Sequence, residues 1–248
     1  MKASVIVSTR NRKAQFERCI ASVREHTQDV EYELIIIDAG STDMTKAAIV
    51  MNKYDEDMSI MFKKNIPGYA QGNNMAMKMC HGEYVYLLNN DNWVTPRWLS
   101  NAIKTYENHP EIGHLSSLIL WPDDKVQSAG ACITKDGASV SIFEQKNASD
   151  VINTGLLKCD YAGFGLYRRD VLEKVGYLSE DYYPIYFDDP DYGLKVKSQG
   201  LIVACDTASV IYHECHPAER ERFSDAYTRN HAIFIKKWGQ YLRERKTC

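Results

Sequence analysis

A carboxylate follows an apolar run in the first hundred residues of the chain. Asp91 comes just after residues 84–88, inside the polar segment 89–92. A carboxylate in a loop at the end of a buried strand can hold Mg²⁺ or Mn²⁺, hard cations that prefer oxygen ligands. Asn and Asp also favour turns for local hydrogen-bonding reasons. The spacing alone therefore leaves a metal site and a simple polar turn equally open.

Polar clusters also follow other apolar runs, at positions equivalent to that of Asp91. These clusters are residues 8–11, 38–41 and 213–214. In an open α/β sheet, ligands bind outside the carboxyl ends of the strands, where the loops begin. We therefore expect these clusters to meet around one ligand site.

Strand and helix patterns alternate through the first hundred residues, and these elements must position the polar clusters. Apolar runs typical of strands buried on both faces occur at residues 4–7, 34–37, 59–62 and 84–88. Helical spacing of apolar residues, or a cap followed by a helix body, occurs at residues 14–23, 40–50 and 70–80. The alternation predicts an α/β fold with a parallel sheet and helices on both faces.

The second half is less regular. Thr95 and Pro96 are typical of an N-cap and the first residue of a helix that reaches about residue 106. Asp189 before Pro190 predicts the cap of another helix, which Gly200 ends. Strand-like stretches are residues 112–120, 126–143, 201–204 and 209–212.

The last segment, residues 217–248, is basic, with eight Lys or Arg against four Asp or Glu, hence 8 − 4 = +4. Its aromatic residues recur at steps of three to seven, which predicts an amphipathic helix. We expect this helix to pack on the sheet. A basic face resting on a membrane surface is the alternative interpretation.

Composition restricts the class of protein. The 248 residues carry a net charge of −3, which argues against a nucleic-acid binder that works through bulk charge. No apolar run reaches the roughly 18 residues of a transmembrane helix, and the N-terminus does not resemble a signal peptide. The seven cysteines lack framework spacing, so we expect most to be reduced and buried. Together these features predict a soluble cytoplasmic protein.

Several segments resemble one known family. Residues 4–12, 34–43, 67–74 and 83–91 resemble, in this order, the nucleotide-binding half of a family 2 inverting glycosyltransferase of the GT-A fold. Residues 163–169 and 187–194 resemble its acceptor half, and residues 227–230 are similar to the tail of rhamnosyl- and galactofuranosyl-transferase-like members. The similarity covers nearly the whole chain.

The resemblance implies a domain organisation. A GT-A domain would span residues 1–216, with a Rossmann-like nucleotide-sugar half at 1–92, a mostly parallel mixed sheet and an acceptor half at 93–216. Residues 217–248 would form a helical extension packed on the same domain.

The resemblance also implies an activity. The enzyme would move a sugar from a nucleotide-diphospho-sugar, with UDP- or dTDP-sugars favoured, to a hydroxyl of a glycan or glycolipid by single displacement. Mn²⁺ or Mg²⁺ would be the cofactor. Nucleic acid would not be a partner, and membrane contact would be at most peripheral.

The metal site follows from the same resemblance. Asn89, Asn90 and Asp91 stand where the family has its Asp-x-Asp motif, so Asp91 would ligate the metal. Asn89 departs from that pattern, and it would instead hold the ribose or an ordered water. His213 would be the second metal ligand. A structural histidine and a zinc cluster with Cys215 and His216 are the alternatives.

Further residues would bind the donor. Thr9 and Arg10 would flank the nucleotide, with Arg10 near the diphosphate unless it is an exposed structural arginine. Asp38 would accept a hydrogen bond from N3–H of uracil or thymine; its alternative role is a local one, at a helix terminus near Ser41 and Thr42. Gly68 and Asn73, in the glycine- and amide-rich stretch 68–74, would suit the sugar diphosphate. Glycine-rich turns also precede many helices for local reasons.

The acceptor half would carry the general base. In the family, a carboxylate of the motif at 187–194 removes the proton of the attacking hydroxyl, and adjacent carboxylates can raise one pKa towards working pH. We predict Asp189 as the base, with Asp188 as the alternative. Either residue could instead cap the following helix.

The acceptor itself would contact Gly163, Phe164 and Asp191. Trp93, Trp98 and Trp121 could stack on sugar rings, although an aromatic residue more often packs in a core.

Two other functions compete with this interpretation. A catalytically degenerate protein of the same fold would bind nucleotide-sugar or glycan without turnover, and Asn89 favours that alternative. A sugar-phosphate nucleotidylyltransferase would carry a glycine-rich loop after the first strand, and residues 8–12 contain no glycine. Processive polysaccharide synthases are disfavoured because their Gln-x-x-Arg-Trp motif and membrane spans are absent from this sequence.

Overall fold

The computed structural model describes residues 1–51, 58–64, 68–214 and 223–245. Four parallel strands form the first part of the sheet: β1 (Ala3–Thr9), β2 (Tyr32–Asp38), β3 (Met58–Phe62) and β4 (Tyr84–Asn89). Three helices connect them: α1 (Lys13–His26), α2 (Thr45–Met51) and α3 (Tyr69–Met79). Each predicted strand and helix of this half is present.

The second half adds strands of both directions. Its strands are β5 (Asn92–Val94), β6 (Ile112–Leu120), β7 (Val126–Ser128), β8 (Ala131–Ile133), β9 (Ser139–Ser141), β10 (Leu156–Cys159), β11 (Gly165–Arg168) and β12 (Ile202–His213). Its helices are α4 (Trp98–Asn108), a 3₁₀ turn (Ala148–Asp150), α5 (Arg169–Val175), α6 (Asp188–Ser198) and α7 (Ser224–Glu244).

One mixed sheet joins the two halves, in the order β10-β12-β6-β11-β4-β1-β2-β3, with β5 on β12 and β7 on β6. Strand β11 runs antiparallel to both of its neighbours, whereas β12 runs parallel to β6. Strands β8 and β9 form a separate hairpin.

Alternation along the strands explains why helices cover both faces. Val5 and Val7 face one core together with Phe16 of α1, whereas Ile6 faces a second core together with Met77 of α3. A strand with apolar side chains on both faces must bury both. The predicted α/β fold, with a mixed sheet and helices on both faces, is confirmed.

Strand register places the candidate site. Thr9 pairs with Asp38, and Ser8 pairs with Asn89, so the carboxyl ends of β1, β2 and β4 lie side by side. Across the sheet, β12 pairs antiparallel with β5, and His213 lies opposite Asn92. This pairing brings the end of the last strand next to Asp91.

The predicted start of α4 is wrong by two residues. The helix begins at Trp98, after Arg97 in the left-handed region with φ of 63°. Thr95 does not cap it, because the Thr95 hydroxyl donates to the Val210 carbonyl at 2.8 Å and so joins the loop to β12. A tertiary hydrogen bond here replaces the local cap.

The two strands predicted at 201–204 and 209–212 form one strand, β12. A shift of register against β6 between Asp206 and Val210 lets the strand continue. Such an irregularity inserts extra residues into one strand without ending its pairing. The polar residues at 206–209 therefore bend β12 rather than terminate it.

The expectation that the last helix packs on the sheet is also wrong. The buried side chains of α7, Phe234 and Leu242, pack against Tyr182, Phe187 and Leu194. Helix α6 and the segment before it therefore lie beneath α7.

Two further properties bear on the sequence expectations. Cys19, Cys80, Cys159 and Cys205 are free and buried, as expected, whereas Cys132 is disulfide-bonded. Within the described ranges, no helix combines the length and the apolar character needed to cross a membrane.

Candidate functional site

A cavity of about 220 Å³ opens at the carboxyl ends of β1 and β4. We call it the strand-end cavity. Its lining includes the predicted residues Thr9, Arg10, Gly68, Asn89, Asn90 and Asp91. Arg12, Tyr69, Gly72, Pro184, Ile185 and Phe223 line it as well. The polar ends of β1 and β4 thus meet at this cavity, which Ala39 after β2 also lines.

Asp91 is 5% exposed and has two different partners. Its Oδ2 accepts a hydrogen bond from Arg12 Nη1 at 2.9 Å, and its Oδ1 lies 3.5 Å from His213 Nε2. Burial raises the pKa of Asp91, but His213 and Arg12 outweigh burial and hold this pKa below its usual value. The carboxylate is therefore ionised at neutral pH.

His213 is oriented from its far side. Its Nδ1 lies 2.7 Å from Gln127 Oε1, which can only accept, so Nδ1 carries the proton of this hydrogen bond. The ring of Phe164 contacts the imidazole edge-on at 4.8 Å between centroids. Nε2 consequently faces Asp91, where it can donate a hydrogen bond when it carries a proton and can offer its lone pair to a metal ion when it does not.

These two residues fit a divalent cation. Asp91 Oδ1 is buried and lacks a hydrogen-bond partner among the described residues, and an imidazole nitrogen faces it. Carboxylate oxygen and imidazole nitrogen are both ligands that Mn²⁺ accepts. No group of three or more His, Cys, Asp or Glu that could hold a metal occurs in the described ranges. Cys215 and His216, of the alternative zinc cluster, lie outside the described residues.

Asn90 holds the loop that carries Thr9. The Asn90 amide donates to Thr9 Oγ1 and to the Asn11 carbonyl, both at 2.9 Å. Asn11 and Arg12 both have φ above 60°, in the left-handed region that residues other than glycine seldom adopt. The amide bonds to this loop thus fix the direction in which Arg12 reaches Asp91.

Two predicted donor residues have structural partners. Asp38 is 2% exposed, and its Oδ1 accepts hydrogen bonds from the backbone N–H and the hydroxyl of Ser41. Asn73 is fully buried, and its Oδ1 accepts from the Ser8 hydroxyl at 2.7 Å. Neither side chain is among those that line the strand-end cavity, although Ile37 and Ala39 flank Asp38 there.

Gly68 has a steric reason to be glycine. A Cβ added there would lie 3.0 Å from the Pro184 carbonyl oxygen. The Tyr69 N–H donates to the same oxygen at 2.8 Å, which holds the start of α3 against this segment. A side chain at position 68 would therefore disturb the wall of the strand-end cavity.

The carboxylates of α6 are the second chemical group. Helix α6 begins at Asp188, and its N-cap is Phe187 in the left-handed region with φ of 72°. The helix has no side-chain cap, so the capping role expected for Asp188 or Asp189 is wrong. Asp188 Oδ2 is buried with no hydrogen-bond partner in the described part of the chain.

Both carboxylates are more basic than usual. Burial, with a further contribution from Asp191, raises the pKa of Asp188 to about 6. Burial and the neighbouring Asp188 raise the pKa of Asp189 well above its usual value. Two adjacent carboxyl groups that are shielded from water resist simultaneous ionisation. One of them can therefore accept a proton near neutral pH.

Asp189 lines a second cavity, of about 660 Å³. We call it the aromatic cavity. Its lining consists of Ala138, Ser139, Tyr161, Tyr186, Phe187, Asp189, Pro190, Ser224, Tyr227 and Thr228. One segment connects the two cavities, since Pro184 and Ile185 line the strand-end cavity and the next residues line the aromatic one.

Tyr69 lies near both carboxylate groups. Burial raises the pKa of the Tyr69 hydroxyl well above its usual value, and Asp189, Asp188 and Asp91 raise it further. Charge effects of this kind act over short distances in a protein. Asp91 and Asp189 therefore both lie near this tyrosine.

The predicted acceptor residues lie elsewhere. Asp191 is fully buried, and its Oδ1 accepts hydrogen bonds from Tyr182 and Trp238 and pairs with Lys237. It joins α6 to α7, so the acceptor role expected for it is not supported. Phe164 contacts His213, whereas a Cβ at Gly163 would meet Ile119. Gly163 and Phe164 are not among the residues that line either cavity.

The tryptophans proposed for stacking also lie outside both cavities. Trp98 is fully buried, and its Nε1 donates to Thr27. Trp93 stacks on Tyr212 at 4.9 Å between ring centroids. Packing explains both rings.

Sequence reasoning missed three residues of the site. Arg12 follows the predicted cluster by one residue, and its positive charge was the available signal. Gln127 carries no signal, since a glutamine on a short strand has no characteristic spacing. Tyr227 belongs to the periodic aromatic residues of the last helix, and the resemblance of residues 227–230 to the family's tail was the available signal.

Comparison with known proteins relates the chain to one family. The model for "Glycosyl transferase family 2" matches residues 4–176. The chain is 26% identical over 223 residues to the O-antigen biosynthesis protein RfbC of Myxococcus xanthus, covering 86% of this chain and 17% of RfbC. It is 29% identical over 177 residues to the poly(ribitol-phosphate) beta-N-acetylglucosaminyltransferase TarP of Staphylococcus aureus, covering 70% of this chain and 50% of TarP. The chain thus spans at most half the length of these two relatives.

A solved structure shares the fold. GalNAc-T7, solved with UDP, GalNAc and Mn²⁺, superposes with a TM-score of 0.71 at 12% identity, covering 86% of this chain and 43% of GalNAc-T7. The predicted GT-A fold is confirmed by this likeness. The family match spans the strand ends that carry Thr9, Asp38 and Asp91. The chain belongs to glycosyl transferase family 2.

Proposed function

We propose that this protein transfers a sugar from a nucleotide-diphospho-sugar to a hydroxyl of a glycan or glycolipid, with inversion and with a divalent metal. One observation carries the proposal. Asp91, with a free carboxylate oxygen opposite His213, and Asp189, with a raised pKa, lie at adjoining cavities that share the segment 184–189.

The strand-end cavity is the proposed donor site. Asp91 and His213 would hold Mn²⁺ or Mg²⁺, which would neutralise charge on the departing diphosphate. Arg10 and Arg12 line the same cavity and supply positive charge for the phosphates. Thr9 and Asn90 stabilise the loop that presents both arginines.

Asn89 fits this arrangement as an uncharged residue of the cavity lining. It lines the strand-end cavity beside Asp91 without adding a second negative charge. We keep the proposal that Asn89 contacts the ribose or an ordered water. Among the described residues, one carboxylate and one imidazole would thus hold the metal.

Asp189 is the proposed base, with Asp188 as the alternative. A base must accept the proton of the attacking hydroxyl as the bond to the anomeric carbon forms. Asp189 lines the aromatic cavity, whereas Asp188 is 3% exposed. Access therefore favours Asp189. Attack from the side opposite the departing diphosphate inverts the anomeric centre, as in other single displacements at a sugar.

The relatives support the reaction class. TarP is named for transfer of N-acetylglucosamine, and GalNAc-T7 was solved with UDP and Mn²⁺. We propose a UDP- or dTDP-sugar as donor, with Asp38 accepting a hydrogen bond from N3–H of the uracil or thymine ring. Asp38 must then exchange or share its bond to Ser41 when the nucleotide binds.

A panel of nucleotides tests the proposal. UDP-, dTDP- and GDP-sugars are added to the protein with and without Mn²⁺, and melting temperature and slow donor hydrolysis are measured. We expect UDP or dTDP compounds to raise the melting temperature most, and more with Mn²⁺ than without. Binding without any hydrolysis or transfer would instead support a degenerate sugar-nucleotide binder. No stabilisation by any nucleotide would contradict the donor site.

A further inference from the structure

We propose that the aromatic cavity binds the acceptor as an uncharged glycosyl ring, whose apolar face stacks on Tyr227. This inference rests on the proposed transferase function and names the acceptor class for the same site. It also replaces Gly163, Phe164 and Asp191 as the expected acceptor contacts.

Tyr227 is both accessible and held in place. It is 46% exposed, a large value for an aromatic residue that lines a cavity. Its ring lies 5.0 Å from that of Phe187 and 5.8 Å from that of Tyr186, and it stacks on His231 at 6.4 Å. These contacts fix the ring while leaving part of it open to a ligand. A fixed aromatic surface offers contact area at little cost in entropy.

The remaining lining fits the polar edge of a sugar. Ser139, Ser224 and Thr228 bring hydroxyl groups to the aromatic cavity, and Tyr161 adds a phenol. Burial raises the pKa of Tyr161 to about 12, so its hydroxyl keeps its proton and can donate. Pockets of this kind combine aromatic walls with a few placed polar groups. A pyranose ring, with one apolar face and hydroxyls at its edge, matches this pattern.

The charges of the described lining disfavour an anionic acceptor. Asp189 lines the aromatic cavity, and Asp188 precedes it at the start of α6. The described lining contains no Lys or Arg. A phosphate placed there would face these carboxylates without a cation among the described lining residues. TarP differs in this respect, because its name, poly(ribitol-phosphate) beta-N-acetylglucosaminyltransferase, includes a polymer that contains phosphate.

The position of the cavity agrees with the chemistry. Asp189 is part of its wall, and the segment that starts at Pro184 runs from the lining of the strand-end cavity into the lining of the aromatic cavity. A sugar stacked on Tyr227 therefore lies in the same cavity as the proposed base. Its attacking hydroxyl would face the donor where the two cavities adjoin.

The test measures acceptor binding with the donor site filled. Saturation-transfer NMR is recorded on the protein with UDP and Mn²⁺, using methyl glycosides of glucose, galactose, mannose, rhamnose and N-acetylglucosamine as neutral probes and ribitol 5-phosphate as the anionic probe. We expect at least one neutral glycoside to bind and ribitol 5-phosphate not to bind. Tyr227→Ala should weaken neutral binding about fivefold to tenfold, a typical effect of losing one aromatic contact. Tyr227→Phe should stay within about twofold of the wild type.

Controls separate this inference from the proposed function. Gln240→Ala alters an exposed residue of the same helix and should leave glycoside binding unchanged. UDP-dependent stabilisation and donor hydrolysis report on the donor site of each variant. If these are normal, then tighter binding of ribitol 5-phosphate, failure of every neutral glycoside to bind, or an unaffected Tyr227→Ala variant would each overturn the inference. If the wild-type protein did not bind UDP, the result would instead contradict the proposed function.

Discussion

Asp91 and Asp189 lie at adjoining cavities, yet the chain surrounds the two carboxylates in opposite ways. Asp91 has the Arg12 guanidinium at 2.9 Å and the His213 imidazole at 3.5 Å, and its pKa is lowered. Asp189 has another carboxylate as its neighbour, and its pKa is raised. In the ranges that the structure describes, neither Asp188 nor Asp189 forms an ion pair.

The different surroundings give the carboxylates of Asp91 and Asp189 different chemical roles. A carboxylate beside a cation stays ionised and can bind further positive charge, whereas a carboxylate beside another carboxylate gains affinity for a proton. The buried imidazole of His114 also carries no charge at neutral pH, because burial lowers its pKa to about 3. His114 stacks on Tyr167, whose hydroxyl pKa is raised by burial and then by Asp189.

The largest expected effect is on the proposed base. Asp189→Asn should lower the rate of transfer by about 10²- to 10⁴-fold, because the attacking hydroxyl loses its proton acceptor. Donor affinity, measured by titration with UDP and Mn²⁺, should change by less than about threefold. Asp188→Asn is the matched control and should lose less activity. If Asp188→Asn proves the more damaging, the roles of the two residues are exchanged.

The second expected effect is on the charged carboxylate. Asp91→Asn should weaken UDP binding by about 10- to 100-fold in the presence of Mn²⁺, since the variant keeps the shape but loses the ionised ligand. Without metal, binding should change little. Calorimetry with and without EDTA measures both affinities. An equal loss under the two conditions would show that Asp91 acts only through structure.

The third expected effect is on the metal site, through Gln127, which orients His213. Gln127→Ala removes the acceptor that orients His213, and we expect Mn²⁺-supported UDP binding to fall about tenfold. UDP binding without metal should stay the same, which a general loss of folding would not produce. Electron paramagnetic resonance of Mn²⁺ provides the readout. Unchanged metal affinity would mean that His213 needs no support from Gln127.

A last expected effect concerns His114 and acts on the stability of the fold rather than on activity. Its folded-state pKa lies below the unfolded value of about 6.5, so the unfolded state binds the extra proton. The stability that this neutral residue contributes is complete above pH 6.5 and is lost as the pH falls towards 3. The free energy of unfolding should therefore drop by about 1.4 kcal/mol per pH unit between pH 6 and 4 relative to His114→Leu. Urea unfolding of both proteins measures the difference, and parallel curves would contradict the assignment.

The strand-end cavity was largely predictable from the sequence. Strand patterns, turns and a resemblance over consecutive segments all placed Thr9, Asn90 and Asp91 at one edge of the sheet. Such positions are local properties, because each polar cluster directly follows its own strand. Asp38 and Asn73 were harder, since only the folded chain shows that Ser41 and Ser8 occupy their oxygens.

The aromatic cavity was not predictable in the same way. It combines the β8–β9 hairpin, the start of α6 and the start of α7, which are far apart in the chain. Periodicity indicated that Tyr227 lies on a helix, but not that its ring stays exposed. The cap expected at Asp189 failed because a left-handed Phe187 begins α6 instead. Surroundings assembled from distant segments, and hence the raised pKa of Asp189, have no local signature.

The pH dependence of transfer tests the contrast between the two carboxylates most directly. With Mg²⁺ and saturating donor and acceptor, kcat should fall about tenfold per pH unit below an apparent pKa of about 6 or higher, because the Asp188–Asp189 pair must be ionised to accept the proton. The ionised Asp91 should add no limb in this range, since its pKa is lowered. A rate that stays constant from pH 8 down to pH 5 would contradict the account.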